Sequence, residues 1–293
     1  MHNDIYQRVT DQIIEQLDQG VAPWVKPWSG VSDAIPMNAQ SQRPYRGINT
    51  VLLMMEATAR GLDRNQWLTF RQALALGGHV MKGTRGVNIV FYQLKSATTD
   101  LAVVDDAPKD KVVPILKVFT VFNLADIEEL PAEYYARSNV EPCWEPEARA
   151  EGVLTDSGAH IKTIGFCHAA YIRSSDHIEL PPKGSFISAS EYYSTALHEL
   201  THWSGHNSRC NRQFGQRFGD QAYAFEELVA ELGAAFLCAQ CRIDGKTQHS
   251  SYINSWLNIL KADKRAIFLA ASKAQQAVDY VLALGAKDEA LAA

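Results

Sequence analysis

No stretch of this chain approaches the uninterrupted apolar run of about twenty residues that a membrane-spanning helix needs, so no membrane partner is expected. The opening Met1-His2-Asn3-Asp4 leads straight into an amphipathic pattern. With no basic n-region and no cleavable apolar h-region, no signal peptide is expected. Cysteine is scarce and odd in number: five, at positions 143, 167, 210, 238 and 241. That scattered set excludes a disulfide framework and fits a reduced, cytoplasmic protein. Cys238 and Cys241 form a lone C-x-x-C inside an apolar helical pattern, where two buried neighbours are expected rather than a redox site. No internal repeat is visible. Strong net charge is also lacking, at −5 over 293 residues, with 46% hydrophobic and 21% charged residues. Those proportions are ordinary for a globular chain, and the length favours two domains.

The small net charge is unevenly laid out. Residues 1–95 carry ten Lys and Arg against seven Asp and Glu, whereas residues 96–150 carry five against eleven. A mildly basic first third followed by an acidic middle is a weak pointer to an anionic partner.

What the chain does have is Thr195-Ala196-Leu197-His198-Glu199-Leu200-Thr201-His202-Trp203, which contains H-E-x-x-H. On a helix, positions i and i+4 share a face, so His198 and His202 can present two imidazoles to one ion. Neutral imidazole is a good zinc ligand, and zinc lowers the pKa of its bound water enough to make a nucleophile near neutrality. Glu199, beside the first ligand, can take the proton of that water and pass it to a leaving amine. Tyr192, Tyr193, Ala196, Leu197, Leu200 and Trp203 give the segment the apolar stripe of a helix.

A catalytic site of this kind needs a third donor and an open position. His206 lies two turns past His198, on the order of 12 Å along the axis, and Gly205 can end the helix before it. The longer pattern H-E-x-x-H-x-x-G-x-x-H fails at Ser208. The better source is the helical segment Tyr223–Leu237, in which Glu227 and Glu231 are i, i+4 neighbours. Glu227 is the expected ligand, with Glu226, Glu231 and Asp220 as the alternatives. Glu231 is expected to orient a ligating imidazole from behind. Tyr223, one turn before Glu227, is a candidate to steady an oxyanion.

The N-terminal part carries a second signal. Trp24, Trp28 and Tyr45 are interleaved with Lys26, Arg43, Arg46, Lys82 and Arg85. Unpaired bases need flat aromatic faces and phosphates need cations, so this mixture makes these eight residues candidates for binding single-stranded DNA. Rings beside prolines are also common core plugs.

Along the chain, Ile5–Leu17 reads as an amphipathic helix ended by Gly20, and residues 50–60 as a buried helix stopped by Gly61. Residues 67–76 read as another helix, ended by Gly77-Gly78. Residues 87–92 and 116–122 read as strands, with a polar surface loop from Lys95 to Lys111 between them. Residues 131–146, rich in Pro, Glu and Tyr, read as a linker. The expected division is therefore domain 1–130, linker 131–146 and domain 147–293. Further strands are expected at 171–172 and 176–180, the second serving as the edge against which an extended peptide would lie. Helices then run to the C-terminus.

The strings Pro23-Trp24-Val25-Lys26-Pro27-Trp28, Tyr45-Arg46-Gly47-Ile48-Asn49, Trp67-Leu68-Thr69-Phe70 and Val121-Phe122-Asn123 resemble the N-terminal domain of ArdC-type antirestriction proteins. These are carried by conjugative plasmids, and a related domain occurs in plasmid primases. Tyr192-Tyr193-Ser194-Thr195 through the H-E-x-x-H to Ser204-Gly205, followed by Glu226-Glu227-Leu228, resembles their second half. The resemblance runs in order through nearly the whole chain. It implies an α+β protein: an N-terminal mixed α/β domain that binds single-stranded DNA, and a C-terminal zincin-like metallopeptidase domain holding Zn2+. It also implies protection of incoming plasmid DNA from restriction, with a host restriction-related protein as a candidate substrate. Two other readings use the same residues. One is a cytosolic zinc protease whose first domain recognises protein, and the other is a DNA-binding protein with non-catalytic zinc.

Overall fold

The computed structural model describes residues 4–20, 22–24, 35–62, 64–96, 112–136, 146–165, 168–214, 220–243 and 252–292. The chain combines helices and sheets in an α+β fold, and forms two compact units that do not follow the sequence in two blocks. Unit 1 comprises residues 1–37, 43–65 and 137–293, and unit 2 comprises residues 38–42 and 66–136.

In unit 1, α1 (Ile5–Asp18) starts where the Asp4 carboxylate accepts the Tyr6 N–H at 3.0 Å. Its stripe Val9, Ile13 and Leu17 is buried, and it packs on α8 (Ile253–Ala262). α2 (Ile48–Arg60) packs on the long α9 (Ala266–Ala292) and ends at Gly61, whose φ of 61° suits a residue without a Cβ. α5 (Pro146–Asp156) leads to a three-stranded sheet of order β7-β9-β8, made of β7 (His160–Thr163), β8 (Ala170–Ile172) and β9 (His177–Leu180). β9 is parallel to β7 and antiparallel to β8. It is therefore the central strand and not the edge expected from the sequence, because both of its ladders are already paired. The edge facing α6 (Ala189–Ser204) is β8, which among the described residues pairs with β9 alone and packs on that helix. α7 (Gln221–Cys241) is buried on nearly every side and packs against α5, α6, α8 and α9.

In unit 2, a four-stranded sheet has the order β1-β2-β5-β4. β1 is Met37–Asn38, of which Asn38 belongs to this unit, β2 is Gln66–Thr69, β4 is Val87–Ser96 and β5 is Val112–Asn123. The expected helix at 67–76 is in fact a strand followed by a short helix, α3 (Phe70–Ala75). Trp67 and Leu68 pair with Asn123 and Phe122 on β5, and Thr69 caps the helix with a reciprocal Gln72 box. A two-stranded ribbon joins β3 (His79–Val80) to β6 (Ile127–Glu128), and α4 (Ala132–Tyr135) follows. Leu68, Ala73, Leu124, Ile127 and Leu130 form the core. Of the expected loop at 95–111 and linker at 131–146, residues 97–111 and 137–145 lie outside the described residues. Among the described residues, no helix is long and apolar enough to cross a membrane.

Candidate metal centre

α6 begins at Ser188, whose hydroxyl accepts the Glu191 N–H at 3.1 Å, while the Glu191 carboxylate accepts the Ile187 N–H at 2.8 Å. This paired cap fixes where the helix starts, and therefore which face carries His198 and His202. α7 begins at Asp220, whose carboxylate caps the helix at the Ala222 N–H, 3.3 Å away. Asp220 is exposed and spent on that cap, so among the acidic alternatives it is a helix-starter. The two helices meet closely where Gly233 faces Thr201. A Cβ at position 233 would sit 2.4 Å from the Thr201 methyl, so only glycine allows this approach.

That approach brings His198, His202 and Glu227 together. One donor atom from each lies within 4.8 Å of the others, and all three residues are buried. The two Nε2 atoms are 3.2 Å apart, and each is 3.5 Å from a Glu227 carboxylate oxygen. Donors held about 2.1 Å from one tetrahedral zinc lie roughly 3.4 Å from one another. The spacing thus fits a small divalent ion. Burial favours a neutral Glu227, but His198 and His202 outweigh it and hold the carboxyl well below its usual range. Burial likewise opposes charge on His202, and the Glu226 and Glu227 carboxylates overcome it, raising the ring to about 10.

The carboxylate behind His202 is Glu226, whose Oε1 lies 3.2 Å from Nδ1. At this ring the orienting carboxylate is that of the residue preceding Glu227; Glu231 is buried one turn further along α7. Arg212 fixes Glu226 in turn, with Nε 3.0 Å from Oε2 and Nη2 2.8 Å from Oε1. It also reaches the Ser204 hydroxyl at 2.9 Å and the Thr201 carbonyl. No periodicity marks Arg212 in the sequence, and it could not have been found there.

Glu199 is buried, and its Oε2 accepts the Tyr171 N–H at 2.7 Å. Tyr171 is the middle residue of β8, so the edge strand and the acid of the motif are in direct contact. The Tyr171 hydroxyl donates to Asp176 at 2.8 Å, and Arg209 holds Asp176 from the other side while lying 3.8 Å over the Trp203 ring. This ties the β8–β9 turn to the end of α6. Tyr223 lies 3.2 Å from the Tyr252 hydroxyl; burial, that bond and the nearby Glu227 charge push its pKa up, so the phenol stays protonated. His206 stands outside the cluster, with Nδ1 2.8 Å from the Ser208 hydroxyl. Cys238 and Cys241 are buried free thiols, and burial raises both.

Residues 148–273 match the sequence model of a zincin-like metallopeptidase, and residues 3–122 match that of the N-terminal domain of anti-restriction factor ArdC. The chain belongs to the ArdC antirestriction family. It is similar to the crystal structure of the antirestriction ArdC protein from plasmid R388 in its metal-free form. The TM-score is 0.80 at 38% identity, covering 97% of this chain and 98% of that one. The Mn(II)-bound crystal structure of that ArdC protein gives a TM-score of 0.77 at the same identity and coverage. Protein y4eC of Sinorhizobium fredii is 38% identical over 291 residues, 95% of this chain and 91% of that protein. A DNA primase TraC from Escherichia coli is 38% identical over 96% of this chain, but the chain spans only 27% of that primase. A second TraC is 37% identical, with 20% of its length spanned.

The N-terminal candidates fare differently from the metal cluster. Trp24 is 2% exposed and packs edge-on against Trp256 at 5.7 Å, and Tyr45 is 8% exposed. A base cannot stack on rings closed off in this way, so both are core residues, as their neighbouring prolines allow. Arg46 is exposed but ion-paired with Asp279. Arg43, Lys82 and Arg85 are exposed. Lys26 and Trp28 lie outside the described residues.

Proposed function

We propose that this ArdC family member binds single-stranded DNA and carries a peptidase centre competent for hydrolysis, and that it protects incoming DNA from host restriction. The observation that carries the peptidase reading is the meeting of His198, His202 and Glu227 at the donor spacing of one ion, with Glu199 on the same helix. His198, His202 and Glu227 would hold Zn2+. When bound there, zinc supplies a Lewis acid that polarises a peptide carbonyl and acidifies water. Glu199 takes the proton of the attacking water and returns it to the leaving amine. Glu226, held by Arg212, keeps the His202 ring turned so that Nε2 faces the other donors. Tyr223, protonated and next to Glu227, donates to the developing oxyanion. The outer edge of β8 takes an extended segment of a host restriction-related protein by main-chain hydrogen bonds.

One observation favours a second reading, in which the metal is not used for turnover. One oxygen of the Glu199 carboxylate already accepts the Tyr171 N–H, which holds the acid in place for a structural role and leaves a single oxygen for a water. Hydrolysis of a casein or oligopeptide mixture by the zinc-loaded protein, and its absence in Glu199→Gln with equal zinc content, separates the two. Zinc-loaded wild type without hydrolysis leaves the second reading.

A further inference from the structure

We propose that the face of the β4–β5 pair formed by Phe91, Phe119 and Lys117 is the stacking surface for unpaired nucleotides. This rests on the reading of the chain as a single-strand binder and gives that reading a location. The rings that stand out in the sequence are closed, with Trp24 at 2%, Tyr45 at 8% and Trp67 at 0% exposure. Phe91 and Phe119, by contrast, are 47% and 44% exposed. They lie on one face of the sheet. Ile89 pairs with Phe119 and Phe91 pairs with Lys117, and alternate residues of a strand share a side.

On this face Ile89 and Val121 are buried, whereas Phe91, Lys117 and Phe119 are exposed. Its two rings meet edge to face at 5.4 Å and 86°, so each retains a face that its partner does not cover. On the opposite side Val118 is 45% exposed while its cross-strand partner Val90 is buried, so that face is partly covered. Two half-exposed phenyl rings cost solubility unless something covers them.

The occupant follows from charge. Lys117 is exposed and directly opposite Phe91, and the described positions on this face (Val87, Ile89, Phe91, Lys117, Phe119 and Val121) include no carboxylate. Exposed Lys82 and Arg85 lie in the turn that feeds β4. Phenyl rings offer π faces with no hydrogen-bonding edge, so such a platform takes any base, while the cation meets the phosphate. A flat double helix has no unstacked base to offer these rings, so the ligand is single-stranded nucleic acid.

The test is fluorescence anisotropy of a labelled oligo-dT with the full chain at several salt concentrations. Phe91→Ala and Phe119→Ala should each weaken binding roughly tenfold. Lys117→Ala should flatten the slope of log K against log salt by about 0.7. Phe91→Leu with Phe119→Leu keeps the apolar area but removes the rings, and should bind as weakly as the double alanine variant, whereas Phe91→Tyr should bind like wild type. Circular dichroism and metal content identify any variant that misfolds, and the leucine pair guards against that outcome. If wild type fails to bind oligo-dT, the single-strand reading itself falls, and this site with it. If wild type binds and the alanine or leucine pair binds equally well, only the location is overturned.

Discussion

Arg212 and Glu226 form a side-on ion pair inside the protein, with contacts of 3.0 and 2.8 Å and both side chains less than 5% exposed. Through Glu226 the pair reaches His202, and through Ser204 and Thr201 it holds the last turn of α6. Arg212→Met would leave Glu226 buried without its cation, and removing one partner of such a pair costs about 3–5 kcal/mol. The expected outcome is that loss in a urea unfolding titration, together with zinc affinity reduced about tenfold to a hundredfold. Glu226→Gln keeps an acceptor for the ring and should lose less of both. If Glu226→Gln strips the zinc altogether, then Glu226 and not Glu227 is the third ligand.

Glu199→Gln should retain the fold and stoichiometric zinc, since Glu199 is not among the three converging donors. Peptide hydrolysis should fall by about a hundredfold to ten-thousandfold as the base is lost. His198→Ala or His202→Ala should instead lose zinc itself, measured by elemental analysis. DNA transfer into a restricting host gives the second readout for Glu199→Gln. Protection that survives in this variant means the protein shields DNA, and protection that disappears means it acts by cutting.

A fragment of residues 147–293 should not fold on its own, although the sequence divides naturally there. Val9, Ile13 and Leu17 of α1 are buried, Thr10 donates to the Lys264 carbonyl at 2.8 Å, and Trp24 packs on Trp256. Each such buried side chain contributes about 1.5–3 kcal/mol, so losing Val9, Ile13, Leu17 and Trp24 together removes an amount comparable to the usual 5–15 kcal/mol of a whole domain. Size-exclusion chromatography and thermal unfolding should report an aggregated or non-cooperative species. A monomeric fragment with a sharp melting transition would contradict this.

Acid should loosen the β8–β9 turn before it reaches the metal cluster. The Arg209 guanidinium beside Asp176 brings its carboxyl down from 3.8 to about 2, against an opposing effect of burial. A folded-state pKa below the unfolded one contributes stability above about pH 4, which is lost as pH falls towards 2. Amide protection at residues 171–177, with the intrinsic pH dependence of exchange divided out, should therefore fall over that range in wild type. Asp176→Asn should show lower protection already at neutral pH and little further loss of protection on acidification.

The metal cluster was legible because its chemistry is local: i, i+4 histidines on one helix and an acidic helix within thirty residues. What lies behind the cluster was not. Arg212 sits in a stretch without periodicity, and its contacts with Glu226, Ser204 and Thr201 exist only once the chain folds back to Gly205, whose carbonyl accepts the Arg212 N–H. Strand order is also absent from a sequence, so 177–180 could be read as a strand but not as the central one. Trp67 and Leu68 form an apolar run too short to separate strand from helix, and pairing with β5 decided it. Trp24 and Tyr45 had the composition of a stacking site, but exposure is a tertiary property. The exposed pair Phe91–Phe119 lay in a segment read simply as strand.

The contact between Gly233 and Thr201 makes two positions thirty-two residues apart behave as one heritable unit. Any side chain at 233 meets the threonine methyl, and overpacking of that kind costs about 1–3 kcal/mol and prises α6 from α7. Gly233→Ala alone should thus be nearly absent from functional variants. Thr201→Ala removes both the methyl at 2.4 Å and the hydroxyl at 2.9 Å, so it opens a route by which alanine at 233 becomes tolerable. The order of mutation then matters: position 201 has to shrink before position 233 can grow, and a lineage that took the steps in reverse would pass through a protein with a splayed metal cluster.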